Sequence, residues 1–262
     1  MLVRVESSDN NRIKLVRKLQ TKKNRDAENK FVIEGINLVG EAIRRGIRTE
    51  FVMVSDEFDG GELIKQLAAD ATATVCEVPA QIFNKITDAD NGVGILAVID
   101  KKNIQPEDIT DLPADANVLV LDRLQDPGNI GTMIRTAVAT GYGAIVLVKG
   151  TADVYSPKVL RSTAGMIFDI PFAMVDDARE LREKMTAWGK RCVVTTVDGG
   201  RPYYEEDLKH GIALVIGNEG NGVSDEVLAL ADVRVTIPMK GEIESLNAAI
   251  SAAILMYEAV RQ

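Results

Sequence analysis

The sequence predicts an α/β protein built from two alternating units, and three observations carry that reading. Apolar strand-like runs alternate with amphipathic helical stretches through both halves of the chain. Between the halves lies a stretch from Lys101 to Ala116 with two prolines, several acidic residues and no apolar period. In the second half, runs such as Val118 to Leu121, Ile145 to Val148 and Ala213 to Ile216 are apolar without alternation, as parallel strands covered on both faces are. A chain of 262 residues exceeds one small core and fits two modest domains. The expected division is 1–100, a linker over 101–116, and 117–262.

The elements follow in order. Ile13, Val16 and Leu19 share one helical face, with basic residues around the other. Phe31-Val-Ile reads as a strand, and Gly35 to Gly46 as a helix with Leu38, Val39, Ala42 and Ile43 on its apolar side. Phe51-Val-Met-Val is a second buried strand, followed by a helix near Glu62 to Asp70. Thr74 to Val78 is a third strand, and Pro79 opens a short helix to Ile86. Ile95 to Ile99 closes the first run. In the second run, Val118 to Leu121 is a strand and Asn129 to Thr140 a helix; Ala144 to Val148 is a strand, with a helix near Pro157 to Gly165. A short strand at Ile170 to Ala173, a helix from Ala178 to Trp188 and strands at Cys192 to Val197 and Ala213 to Ile216 come next. Asp225 to Ala231 is a helix, Val233 to Ile237 a strand, and Ser245 to Val260 a long helix.

Composition narrows the function classes. Hydrophobic residues make up 46% of the chain, an ordinary globular share, and no apolar run approaches the ~18 residues that span a bilayer. The first residues lack the apolar stretch of a secretory signal. Cys76 and Cys192 have no metal-type spacing and read as reduced core thiols of a cytoplasmic protein; with a single histidine, His210, no metal site is expected. The net charge of −8 opposes indiscriminate nucleic-acid binding. Yet Arg12, Lys14, Arg17, Lys18, Lys22, Lys23, Arg25 and Lys30 face only Asp26 and Glu28 within residues 11–30, a local balance of 8 − 2 = +6. That segment is either an RNA-phosphate surface or a solvated helix face.

Three segments break the apolar patterns with polar residues, and each follows a predicted strand: Asp126-Pro-Gly-Asn129 with Arg135, Gly217-Asn-Glu-Gly-Asn-Gly222, and Ile237-Pro-Met-Lys-Gly-Glu-Ile-Glu-Ser245-Leu-Asn247. Open parallel sheets bind ligands beyond the carboxyl ends of their strands. Each segment also has a plainer reading. Asn129 and Ser245 suit helix N-caps, with Glu242 and Glu244 beside the positive end of the last helix. Arg135 among apolar neighbours can extend to water. Asn247 is polar in an Ala- and Ile-rich helix where packing does not require it. The glycine loop fits neither G-x-G-x-x-G nor G-x-x-x-x-G-K-[ST], and Gly141-Tyr-Gly143 does not extend into the former, which counts against a dinucleotide oxidoreductase or an ATPase.

Taken together, the segments resemble, in order and spacing, the three motifs of the SpoU/TrmH family of RNA ribose 2'-O-methyltransferases: N-x-G…R-T-A, then G-N-E-G-x-G, then I-P-M-x-G…E-S-L-N. The likeness covers Val118 to Gln262. The first half, through Ile13-Lys-Leu-Val-Arg-Lys-Leu and Phe31-Val-Ile-Glu-Gly with Glu41-Ala, resembles the substrate-binding domain similar to ribosomal protein L30e. Thr87-Asp-Ala-Asp-Asn-Gly-Val departs from the family pattern.

The resemblance implies a parallel sheet closed by a trefoil knot, a homodimer through the catalytic domain, and S-adenosylmethionine bound against Thr196, Gly217, Asn218, Gly220, Ile237, Pro238, Met239 and Leu246. It implies a catalytic set of Arg135, Asn129, Ser245, Asn247 and Glu219. An arginine stays charged at neutral pH, so we expect Arg135 to orient the ribose and stabilise a developing oxyanion rather than act as a free base. The expected substrate is ribosomal RNA of the large subunit, bound by Arg12, Lys14, Arg17, Lys18, Lys22, Lys23 and Arg25. Transfer RNA, and a non-catalytic RNA-binding or ribosome-assembly role, are the alternatives.

Overall fold

The computed structural model describes residues 2–60, 74–87, 94–103, 109–110, 112–241 and 245–262. The chain divides into two units, Met1–Pro106 with Asp153–Phe168, and Glu107–Ala152 with Asp169–Gln262. The segment Asp153–Phe168 therefore belongs to the first unit, although it lies in the second half of the sequence.

The first unit holds β1 (Leu2–Arg4), α1 (Asn11–Lys18), α2 (Lys22–Glu28), β2 (Lys30–Glu34), α3 (Ile36–Arg44), β3 (Thr49–Ser55), β4 (Val75–Val78), α4 (Ala80–Phe83) and β5 (Ile95–Asp100). Its sheet runs β1-β4-β3-β5-β2, with β5 antiparallel to both neighbours and the other pairs parallel. Ile13, Val16 and Leu19 of the first helical stretch are buried on one face with Phe51, Met53, Phe83 and Leu96. Burying each such side chain contributes roughly 1.5–3 kcal/mol. The sequence had α1 and α2 as one basic stretch; Asn29 in a left-handed conformation ends α2 and turns the chain into β2.

One predicted surface cation does not reach water. Arg25 is 4% exposed; Nε and Nη2 donate to Asp153 Oδ2 at 2.9 and 2.7 Å, and Nη1 donates to the Leu19 carbonyl at 2.8 Å. Its role is internal: it fastens the 153–168 segment, with α6 (Pro157–Ser162), into the first unit. Phe31 packs on Tyr155 of the same segment, with ring centroids 4.9 Å apart.

The second unit holds β6 (Val118–Asp122), α5 (Pro127–Ala139), β7 (Ala144–Val148), β8 (Phe172–Val175), α7 (Ala178–Ala187), β9 (Arg191–Thr195), β10 (Arg201–Pro202), β11 (Ile212–Gly217), α8 (Asp225–Leu228), β12 (Val233–Thr236) and α9 (Ala248–Arg261). Seven parallel strands run in the order β10-β12-β9-β11-β6-β7-β8. Every residue of β6, β7 and β11 is buried, as their unbroken apolar runs predict.

Two helix starts differ from the sequence reading. α5 begins at Pro127, and its cap is Asp126, whose Oδ1 accepts from Asn129 N at 2.8 Å. The signal was present: an aspartate followed by a proline is a favoured cap and first position. α9 begins at Ala248 and is capped by Asn247, whose Oδ1 accepts from Ala249 N and Ile250 N, so Ser245 is not the cap. The expected helix near Glu62 to Asp70, most of the Thr87–Val93 stretch, and Glu242 and Glu244 lie outside the described residues. Of the expected linker, Ile109 is 8% exposed in the core of the second unit. Both cysteines are buried and free, and burial pushes the Cys192 thiol up to about 12. Among the described residues no helix is long and apolar enough to cross a membrane.

Candidate active site

The parallel order of the second sheet puts the carboxyl ends of β12, β9, β11 and β6 side by side. The loops that leave them are those the sequence marks. The loop after β11 folds back on itself: Asn218 and Gly222 exchange backbone hydrogen bonds at 2.9 Å each, and Asn218 Oδ1 accepts from Gly220 N and Asn221 N at 3.0 and 3.1 Å. Gly217 permits the closure. A Cβ there would lie 2.2 Å from Gly222 C and Val223 N, so no larger residue fits.

This turn presents Glu219 to the loop after β6. Its Oε1 accepts from Asp126 N at 3.0 Å and from Asn129 Nδ2 at 3.2 Å, while Oε2 accepts from Gln125 N at 3.1 Å. Burial raises the carboxyl, but the backbone donors and the Asn129 amide together outweigh it and hold Glu219 below the ordinary carboxylate value. Asn129 in turn accepts at Oδ1 from Asn247 Nδ2 at 3.0 Å. One chain of hydrogen bonds thus joins the three sequence motifs: Glu219, Asn129, Asn247.

Two further bonds brace the glycine loop. Asn218 Nδ2 donates to the Arg123 carbonyl at 2.9 Å, and the fully buried Asp122 accepts at Oδ2 from Ser224 N at 2.6 Å. Sequence reasoning missed Asp122, Arg123 and Gln125. A charged residue closing an apolar strand was the available signal for the first two; the backbone role of Gln125 left none.

Not every predicted residue joins the network. Arg135 is exposed on α5, six positions beyond Asn129, which is about 9 Å along the axis and roughly 120° around it. Among the described residues, none pairs with its guanidinium. Ser245 is exposed and Leu246 half-buried, just ahead of the Asn247 cap. Thr196, at the end of β9, donates through N to the Val235 carbonyl at 3.0 Å and through Oγ1 to the Asp198 carbonyl at 2.7 Å. Ile237 and Met239, beyond β12, are half-buried, and Pro238 between them is exposed. Glycine backbone that a ligand can approach closely, beside half-buried apolar side chains, suits a nucleoside with a flat base. A hollow of about 450 Å³ lies elsewhere, at the opposite ends of the strands, among Asn117, Gly141 and His210. It is remote from this network, and the chemistry argues for the strand-end loops.

A parallel sheet whose carboxyl-end loops converge on a carboxylate-centred polar network is the arrangement of an α/β protein that handles a ligand at that edge. Comparison with known proteins gives the particular family. The SpoU rRNA Methylase family model matches residues 116–257, and an MRM3-like substrate binding domain matches residues 10–97. The 23S rRNA (guanosine(2553)-2'-O)-methyltransferase RlmP of Bacillus subtilis is 37% identical over 255 residues, 97% of each chain. Among solved structures, the AdoMet-bound rRNA methyltransferase from Sinorhizobium meliloti is 30% identical with a TM-score of 0.81, covering 99% of this chain and 98% of its own. The SpoU methyltransferase AviRb from Streptomyces viridochromogenes, in complex with AdoMet, is 27% identical with a TM-score of 0.87, covering 97% and 98%. The chain belongs to the SpoU rRNA methylase family.

Proposed function

We propose that the protein transfers a methyl group from S-adenosylmethionine to a ribose 2'-hydroxyl of large-subunit ribosomal RNA. The observation that carries this reading is the Glu219–Asn129–Asn247 chain, which draws three motifs scattered over more than a hundred residues to one sheet edge. The rRNA methyltransferases named above, similar over nearly the whole chain, support the substrate class.

S-adenosylmethionine, when bound, supplies a methyl group on a sulfonium. The Asn218 and Gly220 N–H groups are taken up in closing the loop, so Gly217, Asn218 and Gly220 would hold it through backbone carbonyl oxygens, with Thr196, Ile237, Pro238, Met239 and Leu246 around them. The chain's own work is alignment and charge. Glu219 holds Asn129, and Asn129 holds Asn247, so two amides are fixed in direction before substrate arrives. Holding the ribose oxygen in line with the methyl group is the step that orientation can favour, by up to roughly 7–11 kcal/mol. Arg135 orients the ribose and its phosphate and stabilises the oxyanion as the hydroxyl proton passes to the neighbouring RNA phosphate or to solvent water; Ser245 assists at the same ribose.

Arg135 lies apart from the network within one chain, which supports a homodimer with residues of both copies at each site. The surface for it is the outer face of α9, where Ile250, Tyr257 and Val260 are 52%, 55% and 58% exposed. The family's trefoil knot is part of the same proposal, supported by the likeness to SpoU structures.

RNA capture falls to the first unit. Lys14, Arg17, Lys18, Lys22 and Lys23 are exposed and Arg12 is half-exposed over the Phe51 ring. Arg17, Lys22 and Lys23 have no acidic partner among the described residues, whereas Lys14 and Lys18 are paired with Asp9 and Glu28. An RNA substrate and two buried free thiols support a cytoplasmic location.

The test is a methylation assay with S-adenosylmethionine on unmodified 23S rRNA and on unmodified tRNA, followed by mapping of the ribose-methylated position. Incorporation into 23S rRNA at one ribose supports the proposal. Incorporation into tRNA alone transfers the activity to the other substrate class, and cofactor binding without any RNA product favours a non-catalytic RNA-binding role.

A further inference from the structure

Arg123 is a charged residue at the site edge that the reaction outlined above does not use. It follows β6 directly and has a left-handed backbone, φ 58°. Glycine or asparagine takes that conformation far more readily than a long side chain does. The fold nevertheless makes a place for the arginine. Gly150, just beyond β7 at φ +99°, leaves open the space where a Cβ would come within 3.1 Å of Arg123 Cγ. Arg123 Nε lies 3.4 Å from Oδ1 of Asp122, a buried oxygen with no hydrogen-bond partner, so the attraction is electrostatic.

The backbone is tied to the site on both sides. Arg123 N donates to Thr151 Oγ1 at 3.0 Å, and its carbonyl takes the Asn218 amide of the glycine loop. The side chain is 46% exposed, and among the described residues no acceptor takes its two terminal nitrogens. A guanidinium held at Nε with a free terminal fork is suited to an oxyanion bearing two acceptor oxygens. A second cation leaves the sheet at the same level: Asp122 is in register with Val148, and Lys149 follows Val148 on the neighbouring strand. Its partner, Asp176 at 3.1 Å, is itself exposed, and such surface pairs hold weakly. The same edge carries Asp122, Asp126, Glu219 and Asp176, so the case for an anion rests on the geometry of the Arg123 fork and not on net charge.

We propose that Arg123 binds a backbone phosphate of the RNA next to the ribose being methylated. The inference rests on the RNA methyl-transfer reading. The carboxylate of S-adenosylmethionine has the same anionic chemistry, so the experiment separates the two sources.

Arg123→Gly is the informative variant, because glycine accepts φ 58° and removes the guanidinium without straining the turn. In the full-length protein, its Kd for an unmodified 23S rRNA transcript rises about tenfold, and the slope of log Kd against log salt falls by about one. Its affinity for S-adenosylmethionine is unchanged, measured at a temperature where circular dichroism shows both proteins folded, because losing the charge beside the buried Asp122 lowers the thermal midpoint. Arg123→Lys restores the salt slope and part of the affinity, since it keeps the charge and loses the fork. Unchanged RNA affinity and slope in Arg123→Gly overturn the inference. So does a loss of S-adenosylmethionine affinity with RNA binding intact, which assigns the guanidinium to the cofactor. Because binding is read apart from turnover, a wild-type protein that methylates no RNA defeats the parent reading while the salt slope still decides Arg123.

Discussion

The Asn247 side-chain amide donates to the Asn129 carbonyl oxygen at 3.0 Å, joining residues 118 apart in the chain. The other end of the Asn247 side chain caps α9. One residue therefore does two things, and substitution separates them. Asn247→Asp keeps an acceptor for Ala249 and Ile250 and adds a charge that suits a helix N-terminus, but it turns an oxygen toward Asn129 Oδ1. We expect near-wild-type thermal stability with methyl transfer slowed about tenfold or more. Asn247→Ala loses the cap as well and lowers stability by about 1 kcal/mol. Undiminished turnover in Asn247→Asp would remove the 3.0 Å contact from the mechanism.

Glu219 gives the site an acid limit. Its pKa is held below the ordinary 4.5 by its backbone and amide donors acting against burial. A carboxylate with a depressed folded value contributes stability that is full above the unfolded pKa and is lost as pH falls through the lower, folded one. Near neutral pH Glu219 stays ionised, so loop order and activity should not change with pH through this group there, and should collapse only well into the acid range. Glu219→Gln removes the charge at every pH and turns an amide nitrogen toward the Gln125 or Asp126 donors. Its turnover should fall at neutral pH, and its acid transition should lose the Glu219 component. A pH–activity profile of both proteins checks this.

Arg135→Ala should reduce methyl transfer about 10²–10³-fold, the range for removing one transition-state donor, while S-adenosylmethionine affinity stays within a few fold by calorimetry. Mixing Arg135→Ala with an Asn129→Ala variant examines the two-copy site. If each site draws Arg135 from one copy and Asn129 from the other, mixed dimers recover part of the activity that both homodimers lack.

The basic stretch of the first unit should split into two behaviours. Charge reversal at Arg17, Lys22 and Lys23 weakens RNA binding and flattens its salt dependence without lowering the thermal midpoint. Arg25→Ala acts on folding instead: breaking a buried pair of this kind costs about 3–5 kcal/mol, read by denaturant unfolding. Wild-type stability in Arg25→Ala would contradict the internal role of the Asp153 contact.

Much of this was readable one residue at a time. Unbroken apolar runs gave buried parallel strands, because a strand covered on both faces has no polar side to show. The three polar segments were legible as strand-end loops, because each follows such a strand, and the structure brings Glu219, Asn129 and Asn247 of them together. Helix starts were less legible: Asn129 and Asn247 are both good caps by type, yet Asp126 takes the first position and frees the Asn129 amide for Glu219. Arg25 looked like its neighbours because sequence carries charge and not burial; the acid that claims it lies 128 residues away.

Local pattern, then, determined the alternating α/β runs, the polar loops at the strand ends, and the family, since periodicity and short motifs are properties of neighbouring residues. Only the tertiary structure decided which polar groups meet. Strand order set β11 beside β6 and brought Glu219 to Asn129; the return of α9 brought Asn247 to the same place. It also drew residues 153–168 into the first unit. Hydrogen bonds and ion pairs reach about 3 Å, so their partners are chosen by the path of the folded chain and leave no periodic trace along it.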